Sequence, residues 1–186
     1  MSGPRLAPGR TAFLDRDGTI NASPPEGEYL SRPDEVRLLS GAGEAIRLLN
    51  EHGATVVVVT NQRGIALGRM SEADLAAVNA RLEAELARCG ARLDGIFHCP
   101  HHAGACDCRK PGTGMFERAA AEIEAVEIDG GAMVGDTAKD VEAGRRLGIA
   151  TVRIGPAEPG DPPADHDAES LLGAVRWLIA PEPPPD

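Results

Sequence analysis

No apolar run in this sequence approaches the roughly 20 residues that a membrane-spanning helix requires. No charged-then-apolar leader precedes the first apolar segment either. A cytoplasmic protein with no membrane partner is therefore expected. Positive charge is also in short supply: 19 Lys and Arg face 29 Asp and Glu, a net charge of −10. That balance argues against a nucleic-acid surface, which is normally basic. It leaves room for a phosphorylated small molecule, because such a site needs only a few local cations and a metal. Cysteine is scarce, yet three of the four, Cys99, Cys106 and Cys108, fall within ten residues. In the cytoplasm such a cluster points to metal rather than disulfides. Internal repeats are absent.

What is present is ordinary globular material. The 186 residues, 42% apolar and 26% charged, suit one domain with a real core. Proline, glycine and charge crowd residues 1–10, and proline dominates residues 181–186. Both ends read as loose tails around a single domain over 11–180. A monomer is expected. Between the tails, short β-rich runs at 11–14, 55–60, 95–99, 132–135 and 150–154 alternate with helix-like runs at 42–52, 71–89, 114–124, 137–147 and 168–179. That alternation predicts an α/β fold: a Rossmann-like parallel sheet with helices on both faces. Four consecutive valines in the second strand suit burial on both sides. In the second helix Leu75, Val78, Leu82, Leu86 and Cys89 recur every three or four residues, which predicts one buried face including Cys89. Ser71 is its expected N-cap, with Asp74 three residues on. Gly53 and Gly148 each follow a helix, where a left-handed glycine ends it.

Ligands of an open parallel sheet bind beyond the carboxyl ends of its strands, and polar groups accumulate there in this chain. Asp15-Arg16-Asp17-Gly18-Thr19 follows the first strand and Thr60-Asn61-Gln62 closes the second. Arg109-Lys110-Pro111 lies past the third, and Gly135-Asp136-Thr137-Ala138-Lys139-Asp140 follows the fourth. An Asp-x-Asp alone reads as well as a solvated turn; four such groups in order do not. Phosphoryl transfer needs a nucleophile, neutralised phosphate oxygens and proton management at the leaving group. Asp15 can attack phosphorus to form an aspartyl-phosphate. Asp17, on the same side two residues later, can protonate the leaving oxygen and then activate water. Gly18 lets the backbone turn there. Mg2+ favours hard oxygen ligands, which Asp15, Asp136 and a main-chain carbonyl at Asp17 would supply. The Thr60 hydroxyl and the Lys110 ammonium can hold the other phosphate oxygens. Asp140, one helical turn after Asp136, either contacts the metal or orients Lys110 and caps locally.

A second constellation sits just ahead of Lys110. Cys99, Cys106 and Cys108 with an imidazole from His98, His101 or His102 offer four ligands suited to tetrahedral Zn2+. Without an open position that zinc would be structural. The alternative is a reduced cysteine-rich loop. Because the segment runs straight into Arg109-Lys110, folding around zinc would fix the loop presenting both cations.

The four groups resemble the signature motifs of the haloacid dehalogenase-like hydrolases, from Asp15 to Asp140. The resemblance implies Asp15 as nucleophile, Asp17 as acid/base, Thr60 and Lys110 on phosphate, and Asp136 on magnesium. Within that superfamily, residues 13–21, 60–66, 99–102 and 107–111 are similar to zinc-knuckle phosphatases of D-glycero-D-manno-heptose 1,7-bisphosphate and histidinol phosphate. This likeness selects His101 as the fourth zinc ligand. It is nearer to the heptose enzymes except in one respect: only four residues separate His101 from Cys106, a short loop like that of the histidinol-phosphate type.

The spacings of Asp17 to Thr60 and of Thr60 to Lys110 leave no room for a separate cap domain. Local segments must then close the site, with Tyr29 and Arg32 in one and Arg63 and Arg69 in another. Asn61, Arg63 and Arg109 are expected near substrate, since a bisphosphate needs cations for its distal phosphate. The leading expectation is removal of the 7-phosphate from a heptose 1,7-bisphosphate. Another phosphomonoester such as histidinol phosphate comes second. A non-catalytic phospho-acceptor module comes last, since it would lack both Asp17 and the knuckle.

Overall fold

A computed structural model describes residues 5–181 of the chain. Six strands form one sheet: β1 (Thr11–Leu14), β2 (Thr55–Asn61), β3 (Gly95–Cys99), β4 (Ala132–Gly135), β5 (Ala150–Ile154) and β6 (His166–Ala168). Five helices cover it: α1 (Ala42–Glu51), α2 (Glu72–Arg88), α3 (Gly114–Glu122), α4 (Ala138–Leu147) and α5 (Leu171–Ile179). All pairings are parallel, in the order β3-β2-β1-β4-β5-β6. The chain thus builds outward from β1 on one side, then returns to its other edge with β4. That reversal leaves a crevice at the carboxyl ends of β1 and β4.

Side-chain alternation explains why both faces need helices. Ala12 and Leu14 of β1, with Val56 and Val58 of β2, face a core shared with α1, α2 and α5. Phe13, Val57 and Val59 face the opposite core against α3 and α4. Phe13 meets Phe116 of α3 edge to face, with ring centroids 4.9 Å apart. Helix ends follow their expected chemistry. The Ser71 hydroxyl accepts from Asp74 N at 3.1 Å, and Gly148 ends α4 at φ 68°. Asp17 connects to α1 through a segment whose regular structure is one 3-10 turn, Pro33–Glu35, so no cap domain interrupts it.

Three expectations need correction. Cys89 is exposed, because α2 ends at Arg88 and the buried stripe stops at Leu86. The last helix begins at Leu171, capped by Ser170, because residues 166–168 pair with β5 as an edge strand. The described part of the N-terminal segment is packed rather than loose: Leu6 is fully buried and its N–H donates to Leu178 O at 2.9 Å. Residues 1–4 and 182–186, the rest of the expected tails, lie outside the described residues. No helix of the described residues is long and apolar enough to cross a membrane.

Candidate active site

The crevice holds a cavity of about 260 Å3. Asp15 and Asp17 enter it from the end of β1, Thr60 and Asn61 from β2, Arg109 and Lys110 from the loop before α3, and Asp136 and Asp140 from β4 and α4. Four segments far apart in sequence therefore meet at the one place where the sheet order reverses.

Lys110 is the hub. Its ammonium lies 2.8 Å from Asp15 Oδ1 and 2.6 Å from Asp140 Oδ1, and donates to Val59 O at 2.6 Å. The lysine side chain is 2% exposed. Burial alone would lower its pKa, but the charges of Asp140 and Asp15 outweigh that and raise it. Asn61 clamps its backbone in both directions, donating to Lys110 O at 3.1 Å and accepting from Lys110 N at 3.0 Å. Asp140 makes both of the local contacts that were one of its two readings. Beside its contact with Lys110, its Oδ2 accepts from Thr137 N at 3.0 Å and Thr137 Oγ1 at 2.6 Å.

Asp15, Asp136 and Asp140 each offer a carboxylate oxygen within 4.8 Å of the others. Burial and the Asp140 charge push the Asp15 pKa to about 7, against the opposing pull of Lys110. Burial, then Asp140, push Asp136 to about 6. Asp136 Oδ1 is buried without a hydrogen-bond partner among the described residues. A crowded set of reluctant carboxylates with an orphaned buried oxygen fits a hard divalent cation, which would favour their ionised forms.

Asp17 is held differently. Arg16 grips it with Nε on Oδ1 at 3.1 Å and Nη2 on Oδ2 at 3.0 Å. Asn21 Nδ2 adds a bond to Oδ1 and Gln62 Nε2 one to Oδ2, each at 2.9 Å. Burial opposes ionisation, yet Arg16 and the two amides prevail and its pKa is lowered. Gln62 also donates to the Thr60 hydroxyl at 2.9 Å, which links the Asp17 and Thr60 groups.

The knuckle residues converge beside this loop. Cys99 Sγ lies 3.5 Å from Cys106 Sγ and 3.7 Å from His101 Nδ1; Cys108 Sγ lies 3.2 Å from Cys106 Sγ and 3.3 Å from His101 Nδ1. A zinc tetrahedron with bonds of about 2.3 Å to sulfur and 2.0 Å to nitrogen has edges of about 3.5–3.8 Å, so the four groups fit that ion with small adjustments. His98 instead bonds Glu72 at 2.9 Å, and His102 is exposed outside the cluster.

Not every expected residue arrives. Arg63 and Arg69 are exposed and do not line the cavity, and Arg32 pairs with Asp34 and Glu35. Tyr29 packs against Gly64, where a Cβ would come 2.7 Å from the ring, so the two local segments touch each other, though neither residue lines the cavity. Arg109 lines the cavity, with Nη1 buried and lacking a partner among the described residues. Sequence reasoning assigned nothing to Arg16, Asn21 and Gln62, which hold Asp17, or to Ser23 and Lys139 on the cavity rim. The signal for Gln62 was its place two residues after Thr60, just past the end of β2, where strand alternation continued by one residue keeps it on the same side.

The family described as HAD-hydrolase-like matches residues 107–161. A D-glycero-beta-D-manno-heptose-1,7-bisphosphate 7-phosphatase of Escherichia coli O6:H1 is 36% identical over 175 residues, spanning 89% of this chain and 90% of that protein. The protein of the same name from Rhodopseudomonas palustris is 40% identical over 151 residues, 77% of this chain and 82% of its own. The crystal structure of D,D-heptose 1,7-bisphosphate phosphatase from B. bronchiseptica, complexed with magnesium and phosphate, superposes with a TM-score of 0.82 at 32% identity. That match covers 91% of this chain and 98% of the other.

Proposed function

Because the chain belongs to the D-glycero-beta-D-manno-heptose-1,7-bisphosphate 7-phosphatase family of HAD-like hydrolases, we propose that it removes the 7-phosphate of that sugar bisphosphate. The observation that supports this reading is the meeting of Asp15, Asp17, Thr60, Lys110 and Asp136 in one cavity at the sheet reversal.

A carboxylate oxygen of Asp15 attacks phosphorus, and the bond from phosphorus to the C7 oxygen breaks. Asp17, which must enter this step protonated against the pull of Arg16, Asn21 and Gln62 toward its ionised form, gives that oxygen a proton, so the heptose leaves as an alcohol. Asp17 then takes a proton from water as the water oxygen attacks the aspartyl-phosphate, freeing Asp15 and inorganic phosphate. Lys110 and the Thr60 hydroxyl hold the non-transferring oxygens, and Asn61 keeps Lys110 in place. The buried, unpartnered Arg109 nitrogen suits the distal phosphate. HAD phosphatases use Mg2+; here Asp15, Asp136 and the Asp17 carbonyl would hold it, and it supplies charge neutralisation at the phosphate. Cys99, His101, Cys106 and Cys108 would hold structural Zn2+, bracing the loop that ends in Lys110.

The short stretch between His101 and Cys106 favours one competing substrate, histidinol phosphate. The test is magnesium-dependent phosphate release from both anomers of the heptose bisphosphate, fructose 1,6-bisphosphate and histidinol phosphate. The β anomer is expected to lead by about tenfold or more in kcat/KM. A lead for histidinol phosphate would overturn the assignment.

A further inference from the structure

Arg16 is the largest fully buried side chain of the described residues, at 0% exposure, and the mechanism above gives it no task. A guanidinium withdrawn from water costs several kcal/mol unless its donors are met. Here they are met by two side chains: the carboxylate of Asp17, through a two-point fork, and Asn79 of α2, whose Oδ1 accepts from Nη1 at 2.9 Å. The other two donors on Asp17, from Asn21 and Gln62, are amides. Each amide reaches one oxygen only, whereas a guanidinium presents parallel donors in a rigid fork. Of the three groups around Asp17, only Arg16 therefore holds both carboxylate oxygens at once and so sets the plane of the group.

We propose that Arg16, seated by Asn79, is a positioning residue that fixes the plane of the Asp17 carboxylate through both proton transfers. This rests on the acid/base reading of Asp17. Asn79 stands half-buried on α2, remote in sequence from the nucleophile, so the helix braces the proton-transfer group from outside the cavity. Arg16 itself meets no cavity-lining surface, so its contribution passes through Asp17 alone.

Leaving-group dependence separates positioning from general damage. A sugar alkoxide needs a proton to depart, whereas p-nitrophenolate leaves without one. For Asn79→Ala and Arg16→Lys, the single-turnover rate of heptose release, which precedes the water step, should fall by about tenfold to a hundredfold with half-saturation retained. On p-nitrophenyl phosphate the burst rate of p-nitrophenolate release in the same variants should stay within about twofold of the parent, because that step needs no proton from Asp17. Asp17→Asn, the control, should show the same split more deeply, by about 10² to 10⁴ on the sugar. A split in Asp17→Asn that is absent from both other variants overturns the proposal alone. A uniform loss of first-step rate on both substrates in Asp17→Asn overturns the acid reading of Asp17 and the proposal with it. Arg16→Lys keeps the buried charge, and Asn79→Ala alters a half-exposed helix face, so at least one folded variant remains for the comparison.

Discussion

Replacing Lys110 by methionine removes one charge from a buried trio while keeping most of the side-chain volume. The ammonium is lost to Asp15 at 2.8 Å, to Asp140 at 2.6 Å and to Val59 O at 2.6 Å. Stripping one partner from a buried ion pair costs about 3–5 kcal/mol when the other stays charged. Asp15 can escape part of that by taking a proton. Its folded pKa, about 7, already sits above the ordinary 3.8, and the Lys110 charge is what pulls it down. A carboxylate raised in the folded state contributes stability below its unfolded pKa and loses it as pH rises to the folded one. Without Lys110 the folded value climbs, so between pH 7 and the new value the variant keeps a proton that the parent has released. The gap in stability should then widen by about 1.4 kcal/mol per pH unit above pH 7, and level off below pH 6, where both hold the proton. Urea unfolding without magnesium at pH 6, 7, 8 and 9 reads this directly, as a midpoint shift at constant m-value. A gap that is constant from pH 6 to 9, or that narrows, would refute the electrostatic account of the trio.

Cys106→Ser should abolish zinc retention, measured by elemental analysis, and lower both the melting temperature and kcat, since zinc binding energy is folding energy for this loop; unchanged zinc content would remove the knuckle. Gly18→Ala forces a side chain into φ 82° and into the Asp136 carboxylate. It should cost about 1–2 kcal/mol from the backbone alone, and weaken Mg2+ binding in calorimetric titration by about tenfold or more. Asn61→Ala removes both bonds to the Lys110 backbone. It should destabilise by about 1–3 kcal/mol and reduce kcat/KM; wild-type kinetics would show that the loop holds Lys110 unaided.

Local chemistry wrote much of this fold plainly into the sequence. Thr11–Leu14, Ala132–Gly135 and Ala150–Ile154 are buried from end to end or at all but their outermost residues, and each forms the strand its composition predicts, as does Gly95–Cys99, where only Phe97 and Cys99 are buried. His166–Ala168 was invisible for the opposite reason. Its residues are short and polar at a sheet edge, and the pairing with Val152–Ile154 comes from the other strand rather than from any propensity of its own. Cys89 extended an α2 stripe by periodicity, yet the helix stops one residue earlier. The residues that bring charge to the candidate site, Asp15, Asp17, Lys110 and Asp136, were legible from motif spacing as a group that meets in one cavity. Arg16 was not, because its meaning lies in burial and in Asn79, a partner 63 residues away that no local pattern joins to it.

The sheet reversal also sets when the protein can become whole. On the ribosome, β1, β2 and β3 emerge first and can form half a sheet with one edge of β1 still bare. The strand that covers that edge, β4, closes it with bonds such as Asp15 N to Val134 O, joining residues far apart in the chain. At ordinary synthesis rates that partner arrives on the order of 10 s later. Through that interval the most apolar strands present an unpaired edge, which is the state chaperones and aggregation compete for. The nascent chain must survive this exposure before the aspartates on either side of the reversal ever meet.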